Sequence, residues 1–504
     1  LRRILKNYDR EFLTQTMLFP AILRACLVLV VVAIFSAFDF YFSVADDRPN
    51  IVFLMADDQC ANSMGCYGTP KAQTPNLDRL ASEGMVFDNH YVTTAICMAS
   101  RANVMTGMFE YKTGCNFMHG ALLQEHWRKS YPVLLKKAGY KIGFAGKFGF
   151  EVAKSPNQKG RLPVTDFDAW GGGPGQTSYQ TRKNDAMTKY ASQYPHSTLA
   201  YGAFGADFIA ENADSPFCLS ISFKAPHRPV SPDPRFEKVY QDVTFAKPKN
   251  FGRAYGKHFS MQSRQGRQFE RFHSWEYSTN YNSVIAKYFQ QIYAIDVAVG
   301  MIRKAIEENG VAKKTIVIYT SDNGFLNGAH GYGSKVLPYE ESTRVPLIVL
   351  DPRSKTSGER LRCDSLTGNV DFAPTILSLA GLEIPQNIDG KSLLPLFENP
   401  ETSIHHALPL INVWGPKETF SLSVVTKEWK YINWPFVNEK MKRSEELYDT
   451  ERDPFELSNL VNVQEVSENL TSMQKLYDKT VEHWRAESVS YHGYQELAKF
   501  FKRQ

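Results

Sequence analysis

Short unbroken apolar runs alternate along the chain with segments whose apolar residues recur every three or four positions. That is the pattern of buried strands joined by amphipathic helices. Ile51-Val52-Phe53-Leu54-Met55 is one such run, stopped by Ala56-Asp57-Asp58, and is predicted as a strand buried on both faces of a parallel sheet. Thr74-Pro75 opens a helix with Leu77, Leu80 and Ala81 on one face, closed by Gly84. A helix over 132–138 feeds a strand over 141–145, and 216–223 is another strand. Within 286–308, Phe289, Ile292, Ile295, Val299, Ile302 and Ile306 recur at helical spacing ahead of Gly310 and a strand over 315–319. The alternation predicts an α/β fold, a large mostly parallel sheet with helices on both faces. Stretches 152–200 and 232–280, rich in Gly, Pro, Ser and polar residues, read as insertions at strand ends. Strand-like pieces over 420–425 and 429–433, followed by an amphipathic helix, predict a smaller antiparallel-sheet subdomain over 396–504, after a main domain over 46–395.

The first 45 residues are set apart by an apolar run from Ala25 to Phe38 behind Arg24, followed by the small-x-small triplet Ser43-Val44-Ala45. This predicts a secretory signal segment, with Met17 as a candidate start and an exported, periplasmic or secreted product. The run is shorter than the roughly 20 residues that span a bilayer, so membrane attachment is expected only if the segment is retained. The net charge of the 504-residue chain is +5, and +3 without that segment, too small an excess to imply nucleic-acid binding. Six cysteines remain after it (60, 66, 97, 115, 218 and 363), with no metal-type CxxC pair, in a compartment where disulfides form.

Two predicted strands end in paired oxygen donors, Asp57-Asp58 and Asp322-Asn323. Ligands of open α/β sheets bind beyond the carboxyl ends of strands, so the two pairs are candidates for one site. Three carboxylates and an amide oxygen suit a hard cation, Ca²⁺ ahead of Mg²⁺. Either pair alone also reads as turn or helix-cap residues. The sharpest local signal is Cys97-Met98-Ala99-Ser100-Arg101, continuing to Thr106-Gly107. A cysteine at a helix start with an arginine four residues on is expected to feel a positive field that lowers its thiol pKa. From the residues alone it is a reactive thiol or half of a disulfide.

These motifs together resemble the type I sulfatases of the alkaline phosphatase-like superfamily. Cys97 to Gly107 is similar to the signature C-x-[PA]-S-R-x-x-x-[LM]-T-G, with Ala99 in place of the commoner Pro. Around it lie Asn50-Ile51-Val52 with Asp57-Asp58, Thr74-Pro75-Asn76-Leu77-Asp78-Arg79-Leu80, Gly146-Lys147, His227-x-Pro229, Ser321-Asp322-Asn323-Gly324, His330-Gly331, Lys335 and Arg344-Val345-Pro346. The resemblance implies that a formylglycine-generating or sulfatase-maturing enzyme oxidises Cys97 to formylglycine, whose hydrated aldehyde is the nucleophile. It implies metal binding by Asp57, Asp58, Asp322, Asn323 and residue 97, with Arg101 steadying the hydrate. Lys147 and Lys335 would hold the sulfate, and His227 would protonate the departing alcohol.

One position departs from the family. Gly149 stands where a histidine assigned to collapse of the sulfated intermediate is usual. The sequence therefore predicts either a substitute histidine or carboxylate, with His119 and His126 nearby in sequence, or a burst followed by slow turnover that Gly149→His would relieve if the loop accommodates the ring, since the glycine is also a candidate for special backbone angles. The expected substrate is a sulfated carbohydrate. Support comes from Lys247, Lys249, Arg253, Lys257, Arg264, Arg267 and Arg271, interleaved with aromatic residues. The alternatives are phosphate or phosphonate ester hydrolysis, or non-catalytic binding of sulfated glycans.

Overall fold

The computed structural model describes residues 48–503. The predicted signal segment lies outside them, and no helix among the described residues is long and apolar enough to cross a membrane. The main sheet has eight strands. In chain order they are β1 (Asn50–Ala56), β2 (Met85–Phe87), β3 (Lys141–Lys147), β4 (Ala169–Gly173), β5 (Phe217–Ser222), β6 (Thr315–Ser321), β7 (Leu347–Leu350) and β8 (Leu361–Cys363). Their spatial order is β8-β2-β7-β6-β1-β5-β3-β4. Only β7 runs against its neighbours.

Strand β1 is central and fully buried, and its alternate residues serve two different layers. Ile51, Phe53 and Met55 join a core with Met98 and Ala102 of the helix Cys97–Thr106, Tyr131 and Leu135 of Tyr131–Lys137, and Phe372 and Ile376 of Phe372–Leu379. Val52, Leu54 and Ala56 face Leu77 and Leu80 of Pro75–Glu83, together with the helices Ser197–Asn212 and Tyr277–Glu308. The sheet is thus buried between helical layers, as its unbroken apolar strands require.

The stretches read as insertions contain regular elements. Strand β4, Ala-Trp-Gly-Gly-Gly, forms the sheet edge, with Trp170 stacked on Phe144 at 5.3 Å. A helix spans Arg267–Ser274. A second, antiparallel sheet follows, made of β9 (Leu408–Asn412), β10 (Ser421–Val425), β11 (Trp429–Trp434) and β12 (Ser444–Asp449). The helix Ser467–Glu487 packs on it through Met473, Tyr477 and Trp484. Lys430 of β11 is fully buried and pairs with Glu340 at 2.6 Å and Glu456 at 2.8 Å, tying this sheet to the loop beyond β6. All six cysteines named above carry free thiols.

Candidate active site

Strand register decides what meets at the carboxyl edge. Ala56 pairs with Ser321, Met55 with Ser222, and Ser222 with Gly146. Strands β6, β1, β5 and β3 therefore end level, and Asp322-Asn323, Asp57-Asp58, Lys147 and the loop carrying His227 emerge side by side. Asp58 takes a φ of 73°, breaking the strand alternation that would send its side chain away from that of Asp57.

The four oxygen-donor residues are all buried and in contact. The Asp58 backbone N–H donates to Asp322 Oδ1 at 3.3 Å, and Asn323 Nδ2 donates to Asp58 Oδ1 at 2.6 Å. Asn323 Oδ1 is buried without a hydrogen-bond partner. An all-oxygen set with one orphaned acceptor fits a hard divalent cation, which would give that acceptor its missing partner.

Cys97 is the first residue of its helix and is buried against this cluster. Its Sγ lies 3.3 Å from Asp57 Oδ1 and accepts from Lys335 Nζ at 2.8 Å. Asp57, Asp58, Cys97 and His227 offer ligand atoms within 4.8 Å of one another. Arg101, one turn along the helix, places Nε and Nη2 each 2.8 Å from Asp322 Oδ2, and its Nη1 donates to the Lys147 carbonyl at 2.5 Å. Lys147 Nζ is 2.5 Å from Asp57 Oδ2, and Lys335 Nζ pairs with Asp58 Oδ1. Lys335 sits between Ser334 and Val336, whose φ values are 71° and 91°. For a β-branched residue that conformation is costly, and it persists at the loop that brings this ammonium group inward.

The electrostatics correct one expectation. Burial and the charge of Asp57 push the Cys97 thiol up to about 12, the opposite direction to the lowering expected at a helix start. Burial alone would raise Asp57 as well, but Lys147, His227, Arg101 and Lys335 outweigh it and hold that carboxyl well below its ordinary value. Burial and the Asp57 charge instead push Asp322 up to about 6. Burial pushes His227 down to about 4. Its Nδ1 is hydrogen-bonded to the Arg228 carbonyl, which requires the proton on Nδ1 and leaves Nε2, 3.9 Å from Asp58 Oδ2, as the proton-accepting nitrogen.

Neither histidine considered as a replacement at Gly149 reaches the site. His119 bonds the carbonyls of His492 and Val413, and His126 bonds the Tyr491 hydroxyl. Cys97 Sγ is within hydrogen-bond distance of Asp57 and Lys335, and ligand atoms of Asp58 and His227 lie within 4.8 Å of it. Gly149 itself has a φ of 89°, and a Cβ there would stand 2.3 Å from Arg101 Cδ.

Several supporting residues escaped the sequence reading. The Tyr288 hydroxyl donates to the Asp58 carbonyl at 2.8 Å and accepts from the Cys60 N–H at 3.0 Å. Asn369 accepts from the Thr93 N–H and donates to Ser100 Oγ, both at 3.0 Å, clamping the approach to Cys97 onto its helix. Tyr288 lies on an apolar helix face and reads there as core. A cavity of about 500 Å³ opens over the cluster, with Asp58, His227 and Lys335 in its floor and Arg228, Arg267, Arg271, Trp275 and Lys287 in its walls. The basic 247–271 segment is not one groove. Arg267 and Arg271 line this cavity, whereas Lys247 and Lys249 line a second, apolar one.

The sulfatase family model matches residues 49–382, and the model described as N-sulphoglucosamine sulphohydrolase, C-terminal, matches 328–483. The chain is 28% identical to an N-acetylglucosamine-6-O-sulfatase of Bacteroides thetaiotaomicron, over 87% of each protein. It is 26% identical to an arylsulfatase of Clostridium perfringens, over 86% of this chain and 95% of that one. A solved structure in complex with its substrate D-glucosamine-2-N,6-O-disulfate superposes with a TM-score of 0.70 at 26% identity, covering 87% of this chain and 98% of that one. The phosphonate monoester hydrolase of Agrobacterium radiobacter shares the fold, with a TM-score of 0.69 at 20% identity over 86% and 96% of the two chains. The chain belongs to the sulfatase family of the alkaline phosphatase-like superfamily. It is a sulfuric ester hydrolase.

Proposed function

We propose that this sulfatase is exported and removes a sulfate group from a carbohydrate. It would use a formylglycine made from Cys97 by a maturing enzyme and a Ca²⁺ ion held by Asp57, Asp58, Asp322, Asn323 and residue 97. The observation that carries the reading is the convergence of Cys97, three buried carboxylates and the orphaned Asn323 oxygen beside a cation-lined cavity whose floor includes Asp58. When present, the hydrated aldehyde supplies the nucleophilic oxygen and the cation offsets negative charge beside it.

The chain's own residues do the rest. Arg101, locked onto Asp322, orients the start of the Cys97 helix and the carboxylate beside it. Lys147 and Lys335 are buried, fixed cations, and they bind sulfate oxygens and stabilise the charge that gathers on them in the transition state. His227 is neutral; its Nε2 takes a proton from water in the open cavity and delivers it to the alcohol oxygen as the ester bond breaks. A carbohydrate substrate is supported by the names of the relatives and by the glucosamine disulfate bound in the similar structure. Export is supported by the sequence of the N-terminal segment alone.

The test is to mature the enzyme in a host with the converting enzyme and assay sulfated sugars, an aryl sulfate and an aryl phosphonate ester side by side. Sulfate release from sugars is expected to dominate. Faster turnover of the phosphonate ester would overturn the assignment.

A further inference from the structure

The cavity over the catalytic centre holds more positive charge than one sulfate group needs. Beyond the floor residues its walls carry Arg228, Arg267, Arg271 and Lys287 against a single carboxylate, Glu276. Among the described residues none of these four cations forms an ion pair. Arg271 Nε is buried without a hydrogen-bond partner.

What holds the arginines is aromatic. Arg267 lies over Trp414 at 4.4 Å, while Arg271 and Arg228 lie over Trp275 at 4.8 and 4.5 Å. Trp275 is itself stacked parallel on Phe325 at 5.9 Å. Arg267 and Arg271 are four residues apart on the helix Arg267–Ser274 and so share a face. The crowding is felt, since burial and the charge of Arg271 lower the pKa of Arg267. Stacking a guanidinium on a ring fixes its plane while leaving its edge N–H groups unspent, the form in which arginine grips an oxyanion with two parallel hydrogen bonds.

We propose that Arg267 and Arg271, held on Trp414 and Trp275 with Arg228 beside them, form a subsite for a second oxyanion on the substrate, a sulfate or a carboxylate borne by the same carbohydrate. The enzyme therefore selects carbohydrates carrying at least two anionic groups. This rests on the carbohydrate sulfatase reading and adds a substrate class to it.

The experiment compares matched sugars with the matured enzyme: one with a single sulfate, the same sugar with a second sulfate, and one with a uronate as the second anion. Wild-type kcat/KM is expected to favour the two-anion members roughly tenfold or more, through KM, and the advantage should shrink with salt. The larger of the two preferences identifies sulfate or carboxylate as the anion. In Arg267→Gln/Arg271→Gln the ratio should fall toward one. Arg267→Gln alone, at an exposed position that tolerates change, should lower it part of the way. Equal turnover of the matched sugars by wild type, or an unchanged ratio in the folded double variant, would overturn the subsite while leaving carbohydrate sulfatase activity in place. Hydrolysis of an aryl sulfate with none of the sugars would overturn both.

Discussion

Gly149 and Arg101 are packed so closely that a Cβ on the glycine would stand 2.3 Å from Arg101 Cδ. The glycine also holds a φ of 89°, a backbone conformation that other residues adopt only under strain. A side chain at position 149 therefore has to displace the arginine that braces Asp322. Gly149→Ala is expected to lower kcat by roughly a hundredfold by displacing Arg101, and Gly149→His to give no acceleration. Pre-steady-state kinetics of both variants decide the matter, and a faster steady state in Gly149→His would show that a base was lacking.

Removing the cation should leave Asp57, Asp58 and Asp322 to Arg101, Lys147 and Lys335, which are already engaged with them. Stringent chelation is expected to abolish sulfate release, and Ca²⁺ to restore it. A calcium-dependent rise in melting temperature that is lost in Asp322→Ala gives a readout independent of turnover.

Glu110 links the catalytic unit to the C-terminal helices, accepting from the Tyr494 hydroxyl at 2.5 Å and Asn116 Nδ2 at 2.8 Å. Burial raises its pKa from 4.5 to about 7. Between those values the unfolded chain releases the proton while the folded chain keeps it, so this contribution to stability declines as pH rises from 4.5 to about 7 and is level above that. Glu110→Gln keeps the acceptor and removes the titration. Its melting temperature should exceed that of wild type by a few degrees at pH 8, with the gap closing toward pH 4.5.

Lys430 contacts both Glu340 and Glu456 in a buried cluster, and burial pushes Glu456 up to about 8. Lys430→Ala would leave Glu456 without a cation and Glu340 with Arg344 alone, at a cost of about 3 to 5 kcal/mol, measurable by denaturant unfolding. An unchanged midpoint would show that the cluster relaxes on losing its cation.

The ends of β1 and β6 were legible because a buried parallel strand is an unbroken apolar run, and Asp-Asp or Asp-Asn stops it abruptly. Their meeting depends on the pairing of Ala56 with Ser321, a register that no local pattern encodes. Lys147, His227 and Lys335 are isolated polar residues in sequence, and only family motifs singled them out. Strand β4 was hidden by three glycines, which are poor strand formers, and is held by the stacking of Trp170 on Phe144. The contact between Gly149 and Arg101 was not legible because the two residues are remote in sequence and close only in the fold. The thiol of Cys97 was misjudged for a related reason: the helix terminus is visible in sequence, but the burial and the Asp57 carboxylate that dominate it are not.

The central claim is that residue 97 works as an aldehyde hydrate and not as a thiol. Peptide mass spectrometry of the segment containing Cys97, on protein made with and without a maturing enzyme and assayed in parallel for sulfate release, tests it most directly. The account predicts aldehyde at position 97 in proportion to activity, with the unconverted protein inactive. Full activity in protein whose Cys97 is wholly unmodified would contradict it.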